Sequence, residues 1–145
     1  MHHSTPLFSR KRHVAAWSVH FYTGLGLPLA LIGVGALASN DAFVFFLALS
    51  IAAFIDGTDG TLARWVRVKE VVPQFDGRRL DDLVDFLTYV FLPVLALAAF
   101  DMFPAGQEWM ITIPLLASGY GFCQDAAKTE DAFVGFPSYW NVVVF

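Results

Sequence analysis

Four aspartates in two short stretches of this sequence have the spacing of residues on one face of a helix. They are Asp56, Asp59, Asp81 and Asp85. Residues three and four apart face the same side of an α-helix, so the two members of each stretch share a stripe. Small residues flank both stripes and leave room for a ligand beside the backbone: Gly60, Ala63 and Gly77. Asp82 is turned about 100° away from its neighbour on the same geometry, and we leave it out of the predicted site.

Four converging carboxylates would repel one another, and two divalent cations would balance their charge. Carboxylate oxygens are hard ligands that favour Mg²⁺ or Mn²⁺ over zinc, and no cysteine or histidine accompanies the two stripes. Two such ions about 3.5–4 Å apart suit phosphoryl chemistry. We therefore predict that the four aspartates hold Mn²⁺ or Mg²⁺, with two ions as the expected number, and act on a phosphorylated substrate.

A simpler alternative is that the aspartates are solvated caps at helix ends, neutralised by arginines nearby. The candidate partners are Arg64, Arg67, Arg78 and Arg79. This interpretation suits any one aspartate taken alone. Four aspartates at these spacings, all close to glycine or alanine, favour a ligand site, and ionisable residues in membrane helices usually mark function.

Long apolar stretches predict that membrane-spanning helices position the two stripes. A spanning helix needs about 20 mostly apolar residues, and four stretches qualify: residues 14–38, 42–68, 80–100 and 109–124. A fifth apolar run starts near Phe133 and reaches Phe145. We predict an all-α, polytopic transmembrane helix bundle with about four complete spans and the start of a fifth. Residues 1–13 form its cytoplasmic N-terminal segment, and residues 14–145 form the transmembrane domain, which we expect to be incomplete at the C-terminus.

The basic residues fall on alternate loops, which predicts how the spans are oriented. All nine lysines and arginines precede the first predicted span, separate the second from the third, or follow the fourth: Arg10, Lys11, Arg12, Arg64, Arg67, Lys69, Arg78, Arg79 and Lys128. The turns at residues 40–41 and 101–108 contain none. The positive-inside rule then puts the N-terminus and the aspartates at the cytoplasmic side of the membrane.

The composition agrees with a membrane protein and excludes several other classes. Hydrophobic residues make up 57% of the chain and charged residues 15%, whereas a soluble domain has about 25% charged residues. The net charge of -4, with no basic face, argues against a nucleic-acid partner. The single cysteine, Cys123, excludes an internal disulfide and a cysteine-based metal site.

The two aspartate stretches together resemble the signature of the CDP-alcohol phosphotransferase family, also described as class I CDP-alcohol phosphatidyltransferases. That signature reads D-x-x-D-G-x-x-A-R, a spacer, and G-x-x-x-D-x-x-x-D. All eight fixed positions are present here: Asp56, Asp59, Gly60, Ala63, Arg64, Gly77, Asp81 and Asp85. The spacer holds twelve residues where the usual pattern has eight, and the extra ones include or adjoin Pro73. The insertion lengthens the connection between the stripes.

The resemblance implies a reaction and a role for each motif residue. Members of this family join a CDP-linked lipid to an alcohol and release CMP. By the match, all four aspartates ligate metal, and Asp85 is also the catalytic base that takes the proton of the alcohol. The other motif residues are implied to contact the CDP-lipid: Gly60, Ala63, Arg64 and Gly77.

The flanking sequence is similar to that of the bacterial branch that forms phosphatidylcholine from CDP-diacylglycerol and choline. The similarity is carried by residues 17–24, 68–70, 73–93, 120–129 and 135–141. Members of that branch are longer, have further membrane helices and lie in the inner membrane. Family members often pair as homodimers, so the resemblance also implies a homodimer here.

Two alternatives stay open from the sequence. The same family uses other alcohols, namely serine, inositol and glycerol phosphate. Choline has a quaternary ammonium group, which aromatic faces can bind, so aromatic residues near the site favour choline. Trp and Tyr also gather at membrane interfaces, which is the competing explanation. The candidates are Trp17, Tyr22, Tyr89, Tyr120, Tyr139 and Trp140. A membrane cation carrier would need ionisable residues near mid-membrane, whereas these lie at one side. For His20, within the first predicted span, packing is favoured over a place in the site.

Overall fold

A computed structural model describes residues 10–102, 104–123 and 139–144 of the chain. All regular structure within those ranges is helical. Three helices are long and apolar enough to cross a membrane: Arg10–Ala38, Ala42–Val66 and Gly77–Ala99. The prediction of an all-α membrane helix bundle is confirmed.

The first span is one helix with a break near its middle. It consists of α1, Arg10–Gly24, and α2, Gly26–Ala38. Pro28 has no N–H to donate to the carbonyl of Gly24 four residues earlier, so the helical hydrogen bonds are interrupted there. Leu25 lies between the two halves, directly after Gly24, whose carbonyl lacks this donor.

The second span, α3 at Ala42–Val66, carries the first aspartate stretch towards its C-terminal end. The carboxylate of Asp41 caps its start by accepting a 3.0 Å hydrogen bond from the N–H of Val44. The helix ends before Arg67, which has the left-handed value φ 57°. This residue turns the chain into the short helix α4, Val68–Val71. The predicted end of the span, residue 68, is the first residue of α4.

The third span starts with α5, Gly77–Asp85, which carries the second aspartate stretch. The side chain of Asp76 caps this helix by accepting a 3.2 Å hydrogen bond from the N–H of Arg79. Pro73 predicts a helix start near residues 74–77, because proline is well tolerated just before or at the start of a helix. The start of α5 at Gly77 agrees with that prediction. Because the cap precedes Gly77 directly, both aspartates of the second stretch lie in the first three turns of the helix.

A π-helical segment, Phe86–Phe91, follows α5 without a break. The N–H of Leu92 donates to the carbonyl of Leu87, five residues earlier instead of four. Pro93 explains this position, because it lacks an N–H and its ring would clash with an α-helical carbonyl four residues before it. The span ends as α6, Leu92–Ala99. Short π segments inside α-helices are rare and are frequent at functional sites.

The structure describes most of the fourth predicted span. It begins with a 3₁₀ turn at Glu108–Ile111 and continues as α7, Thr112–Phe122. The apolar helix described there, Trp109–Phe122, is shorter than the three spans. The predicted end at residue 124, Lys128 and the start of the fifth run at Phe133 lie outside the described residues. Of that run, the structure describes α8, Trp140–Val144.

Two apolar clusters hold the helices together. The first joins α2, α3, α6 and α8: Ala30, Ala36, Phe45, Leu49, Leu92, Ala96, Leu97 and Val144. The second joins α1 to α4 and the residue after it: Ala16, Val19, Val68, Val71 and Val72. The second cluster packs the connection between the two aspartate stretches against the first span.

Candidate metal centre

Three of the four predicted aspartates come together where α3 and α5 meet. One carboxylate oxygen from each of Asp56, Asp81 and Asp85 lies within 4.8 Å of the other two, and all three residues are partly buried. Three negative charges at this separation repel unless a cation balances them. Hard carboxylate donors in this number fit Mg²⁺ or Mn²⁺, so the arrangement can act as a divalent metal site.

The fourth aspartate, Asp59, points to the first span and not into this cluster. Asp59 is 6% exposed, and its Oδ2 accepts a 2.6 Å hydrogen bond from the hydroxyl of Thr23 in α1. Among the described residues it is not one of the three that share the cluster. Metal ligation by Asp59 stays a prediction. Asp82, which was excluded on helical geometry, also lies outside the cluster.

The arginines that could have neutralised the aspartates also have other partners. Arg67 pairs with Glu70 at 3.9 Å, and Arg79 pairs with Asp76 at 3.1 Å, both at exposed positions. Exposed ion pairs of this kind contribute little to stability. Two of the four candidate arginines therefore pair with carboxylates outside the motif.

The residues predicted to contact the CDP-lipid lie in two different surroundings. The guanidinium of Arg64 lies over Gly60, since a Cβ built on that glycine would be 3.6 Å from its Nη1. Ala63 packs against the apolar cluster of α1 and α4. At Gly77, a Cβ would lie 2.5 Å from Cε1 of His20. Gly60 and Arg64 thus form an accessible surface on α3, whereas the other two positions allow close helix packing.

Comparison with known proteins bears on the whole arrangement. A profile of the family described as CDP-alcohol phosphatidyltransferase matches residues 20–127, and this range includes both aspartate stretches. The chain belongs to the CDP-alcohol phosphatidyltransferase family. In this chain, α3 and α5 are therefore the two helices that carry the family's signature.

Several relatives of this chain have the name phosphatidylcholine synthase. The protein of that name from Legionella pneumophila is 41% identical over 97% of this chain and 56% of its own length. The one from Pseudomonas aeruginosa is 43% identical over 88% of this chain and 55% of its own length. The one from Rhizobium johnstonii is 38% identical over 96% of this chain and 60% of its own length. The chain thus spans somewhat more than half the length of these relatives. No solved structure matches it significantly.

His20 lies in an aromatic environment on the buried side of α1. It is 8% exposed, and its ring centroid is 4.4 Å from that of Phe75 and 5.8 Å from that of Trp17. Its Nε2 makes no hydrogen bond within the described part of the chain. The same three side chains line an open pocket of about 440 Å³. The packing interpretation of His20 agrees with these contacts.

Sequence reasoning missed the hydroxyl groups that hold the motif aspartates. Tyr89, in the π-helical segment, donates a 2.7 Å hydrogen bond to Oδ2 of Asp56, and Thr23 holds Asp59 in the same manner. Tyr89 was considered only among the aromatic candidates for an ammonium group. A signal was present, because it follows Asp85 by four residues and therefore lies near the same face of the span.

The other aromatic candidates are distributed over the molecule. The ring of Tyr139 lies 5.6 Å from that of Tyr89, close to the carboxylate cluster. The hydroxyls of Tyr22 and Thr58 are 2.8 Å apart, and Tyr120 is 73% exposed on α7. The structure therefore brings two of the six candidates, Tyr89 and Tyr139, together beside the cluster.

Proposed function

We propose that this chain carries the catalytic centre of a phosphatidylcholine-forming enzyme, which transfers the phosphatidyl group of CDP-diacylglycerol to choline and releases CMP. The observation that carries the proposal is the convergence of Asp56, Asp81 and Asp85 at the family motif, between two apolar helices long enough to cross a membrane. Choline as the acceptor is supported by the relatives, which have the name phosphatidylcholine synthase.

The proposed metal ligands are the three clustered aspartates together with Asp59, and the ions are Mn²⁺ or Mg²⁺, two in number. When bound, these ions would draw charge from the pyrophosphate and favour the departure of CMP. The donor set supports this choice, because it consists of carboxylate oxygens only. Asp59 would complete it by a change of side-chain direction away from Thr23.

Asp85 is the proposed general base. The choline hydroxyl gives its proton to the Asp85 carboxylate, and its oxygen forms a bond to the phosphorus that carries diacylglycerol. The bond between that phosphorus and the CMP oxygen breaks at the same centre. Asp85 suits the role because it lies in the carboxylate cluster, near the place that the reacting phosphate would take.

The proposed CDP-lipid site lies along α3. Gly60 has no side chain to keep the pyrophosphate from the helix, and the exposed guanidinium of Arg64 lies directly over it. Arginine suits this position because its fork of N–H groups can bind two phosphate oxygens at once. Ala63 and Gly77 would contribute by keeping neighbouring helices close to the site.

We propose the bacterial inner membrane as the location, with the N-terminus and the site on the cytoplasmic side. The clustering of basic residues on the loops next to the aspartates supports this orientation. Choline and CMP are soluble in water, so a site at this surface can exchange them while the lipid stays in the membrane.

The acceptor can be tested directly. Membranes that contain the chain are incubated with CDP-diacylglycerol, Mn²⁺ and labelled choline, serine, inositol or glycerol phosphate in parallel. We expect label in lipid from choline alone, with one CMP released per label, and loss of the reaction when a chelator removes the metal. Incorporation of another alcohol in place of choline would refute the choline assignment. A chain that releases no CMP with any alcohol would refute phosphatidyl transfer and favour the cation-carrier alternative.

A further inference from the structure

We infer that Tyr89 is a positioning residue of the metal centre, whose hydroxyl holds Asp56 in the direction in which its carboxylate can bind a cation. The family motif does not include this residue. The inference rests on the proposed metal site, and the experiment below distinguishes failure of one from failure of the other.

The hydrogen bond from Tyr89 is short and acts on a clustered carboxylate. Its hydroxyl lies 2.7 Å from Oδ2 of Asp56, in partly buried surroundings. An O–H bond to an ionised carboxylate is stronger than one between neutral groups. A carboxylate has about four acceptor positions, so this bond leaves room for a cation on the same side chain.

This bond also joins the two helices that supply the clustered carboxylates. Asp56 belongs to α3, whereas Asp81 and Asp85 belong to α5, and Tyr89 follows them on the same span. A single hydrogen bond therefore constrains the distance across the site between Asp56 and its two partners. A phenylalanine would pack between the helices equally well, so packing alone gives no reason for a hydroxyl here.

The direction of the Tyr89 ring is set from two sides. Its backbone lies in the π-helical segment Phe86–Phe91, next to Pro93, which cannot donate to the carbonyl of Tyr89. Its ring meets that of Tyr139 edge to face, with centroids 5.6 Å apart and planes at 68°. The hydroxyl is thus presented to Asp56 by a backbone and a neighbour that leave it little freedom.

Carboxylates that bind metals are usually oriented by further hydrogen bonds, and loss of such a partner typically weakens metal binding by about 10–100-fold. We therefore expect Tyr89→Phe, which removes only the hydroxyl, to weaken Mn²⁺ binding by a factor of this size. The full chain is purified in lipid nanodiscs, and free Mn²⁺ is measured by its electron paramagnetic resonance signal. Helix content and Tm are expected to stay unchanged. The KM for choline at saturating Mn²⁺ is also expected to stay unchanged.

Two further variants show whether the effect is specific. Tyr120→Phe removes a hydroxyl from a tyrosine that is 73% exposed on α7, and it is expected to bind Mn²⁺ like the unaltered chain. Asp56→Asn weakens Mn²⁺ binding by itself, and Tyr89→Phe added to it is expected to have no further effect, because Tyr89 acts through Asp56. This double variant also separates positioning from a general loss of structure.

The outcomes that overturn the inference differ from one another. Mn²⁺ affinity of Tyr89→Phe within threefold of the unaltered chain, or an undiminished effect in the Asp56→Asn background, would overturn it and leave the metal site standing. An unchanged Mn²⁺ affinity with a raised KM for choline would do the same and assign Tyr89 to the alcohol. If the unaltered chain binds no Mn²⁺, the metal site itself is refuted, and the inference is refuted with it.

Discussion

Asp82 and Asp85 lie on one turn of α5, yet among the described residues only Asp85 shares the carboxylate cluster with Asp56 and Asp81. Their chemistry as free side chains is the same. What separates them is direction: at about 100° per residue, Asp85 is about 40° from Asp81 around the helix, whereas Asp82 is about 100° from Asp81. Comparison of the two residues therefore tests a role without a change in residue type.

We expect Asp85→Asn to lower the rate of CMP release by about 10²–10⁴-fold, since an amide cannot take the choline proton. Binding of the CDP-lipid is expected to persist, because the residues proposed to contact it lie mainly on α3. Asp82→Asn is the matched control and should keep most of the activity. The measurements are CMP release and CDP-diacylglycerol affinity for each variant. Equal losses at both positions would argue against Asp85 as the base.

At the scale of elements, the site depends on how closely α2 approaches α5. A Cβ on Gly26 would collide with Cγ1 of Val84, the residue before Asp85. Small residues at helix interfaces in membranes allow such backbone approach. Gly35, on the same helix, has nothing within 4 Å of a built Cβ. Gly26 is thus part of a helix interface, whereas Gly35 is not.

Gly26→Ala is expected to destabilise the bundle by about 1–3 kcal/mol, because the branched Val84 side chain cannot easily rotate away. Gly35→Ala, the control, should be neutral or slightly stabilising, since alanine favours a helix over glycine by about 1 kcal/mol. Thermal unfolding in detergent compares them. Val84→Ala should restore most of the stability of Gly26→Ala. Equal melting temperatures for the two glycine variants would contradict the close contact.

The break in the first span and the π-helical segment in the third each lie close to a proline. Pro28 and Pro93 are both visible inside long apolar stretches, and each removes the donor for a carbonyl four residues earlier. At Pro28 the helix breaks at Leu25, whereas at Pro93 it widens into a π turn. The missing donor explains an irregularity at both sites. Which form it takes depends on the neighbouring helices.

At the scale of the whole molecule, the three long apolar helices and the distribution of basic residues imply one orientation in the membrane. The connection from α3 to α5 is basic, and the turns that follow α2 and α6 are not. If the positive-inside rule holds, the carboxylate cluster faces the cytoplasm. Orientation therefore decides which compartment would supply the proposed acceptor.

Cysteine labelling tests this orientation. With Cys123→Ser as the background, we expect Ala105→Cys to react with a membrane-impermeant maleimide in intact spheroplasts. Gln74→Cys should react only after permeabilisation, because it lies on the basic connection. Both positions are exposed in the structure, so access to the reagent depends on the membrane and not on burial. The reverse labelling pattern would refute a cytoplasmic site.

The sequence by itself determined the helical membrane class, the start of α5 and the shared face of Asp81 and Asp85. These features follow from hydropathy, capping residues and helical periodicity, which act between residues close together in the chain. The same local rules separate Asp82 from the shared face, and it lies outside the carboxylate cluster.

Only the tertiary structure decided the directions of the side chains at the site. Asp59 turns to Thr23, 36 residues away in the chain, and Tyr89 bonds to Asp56, 33 residues away. Such contacts depend on how each helix is rotated about its axis against its neighbours. They also depend on which rotamer the packing leaves open, and neither quantity is written in a local pattern. For that reason the motif identifies four aspartates, whereas only the fold shows that three of them lie together and that Tyr89 donates a hydrogen bond to one of the three.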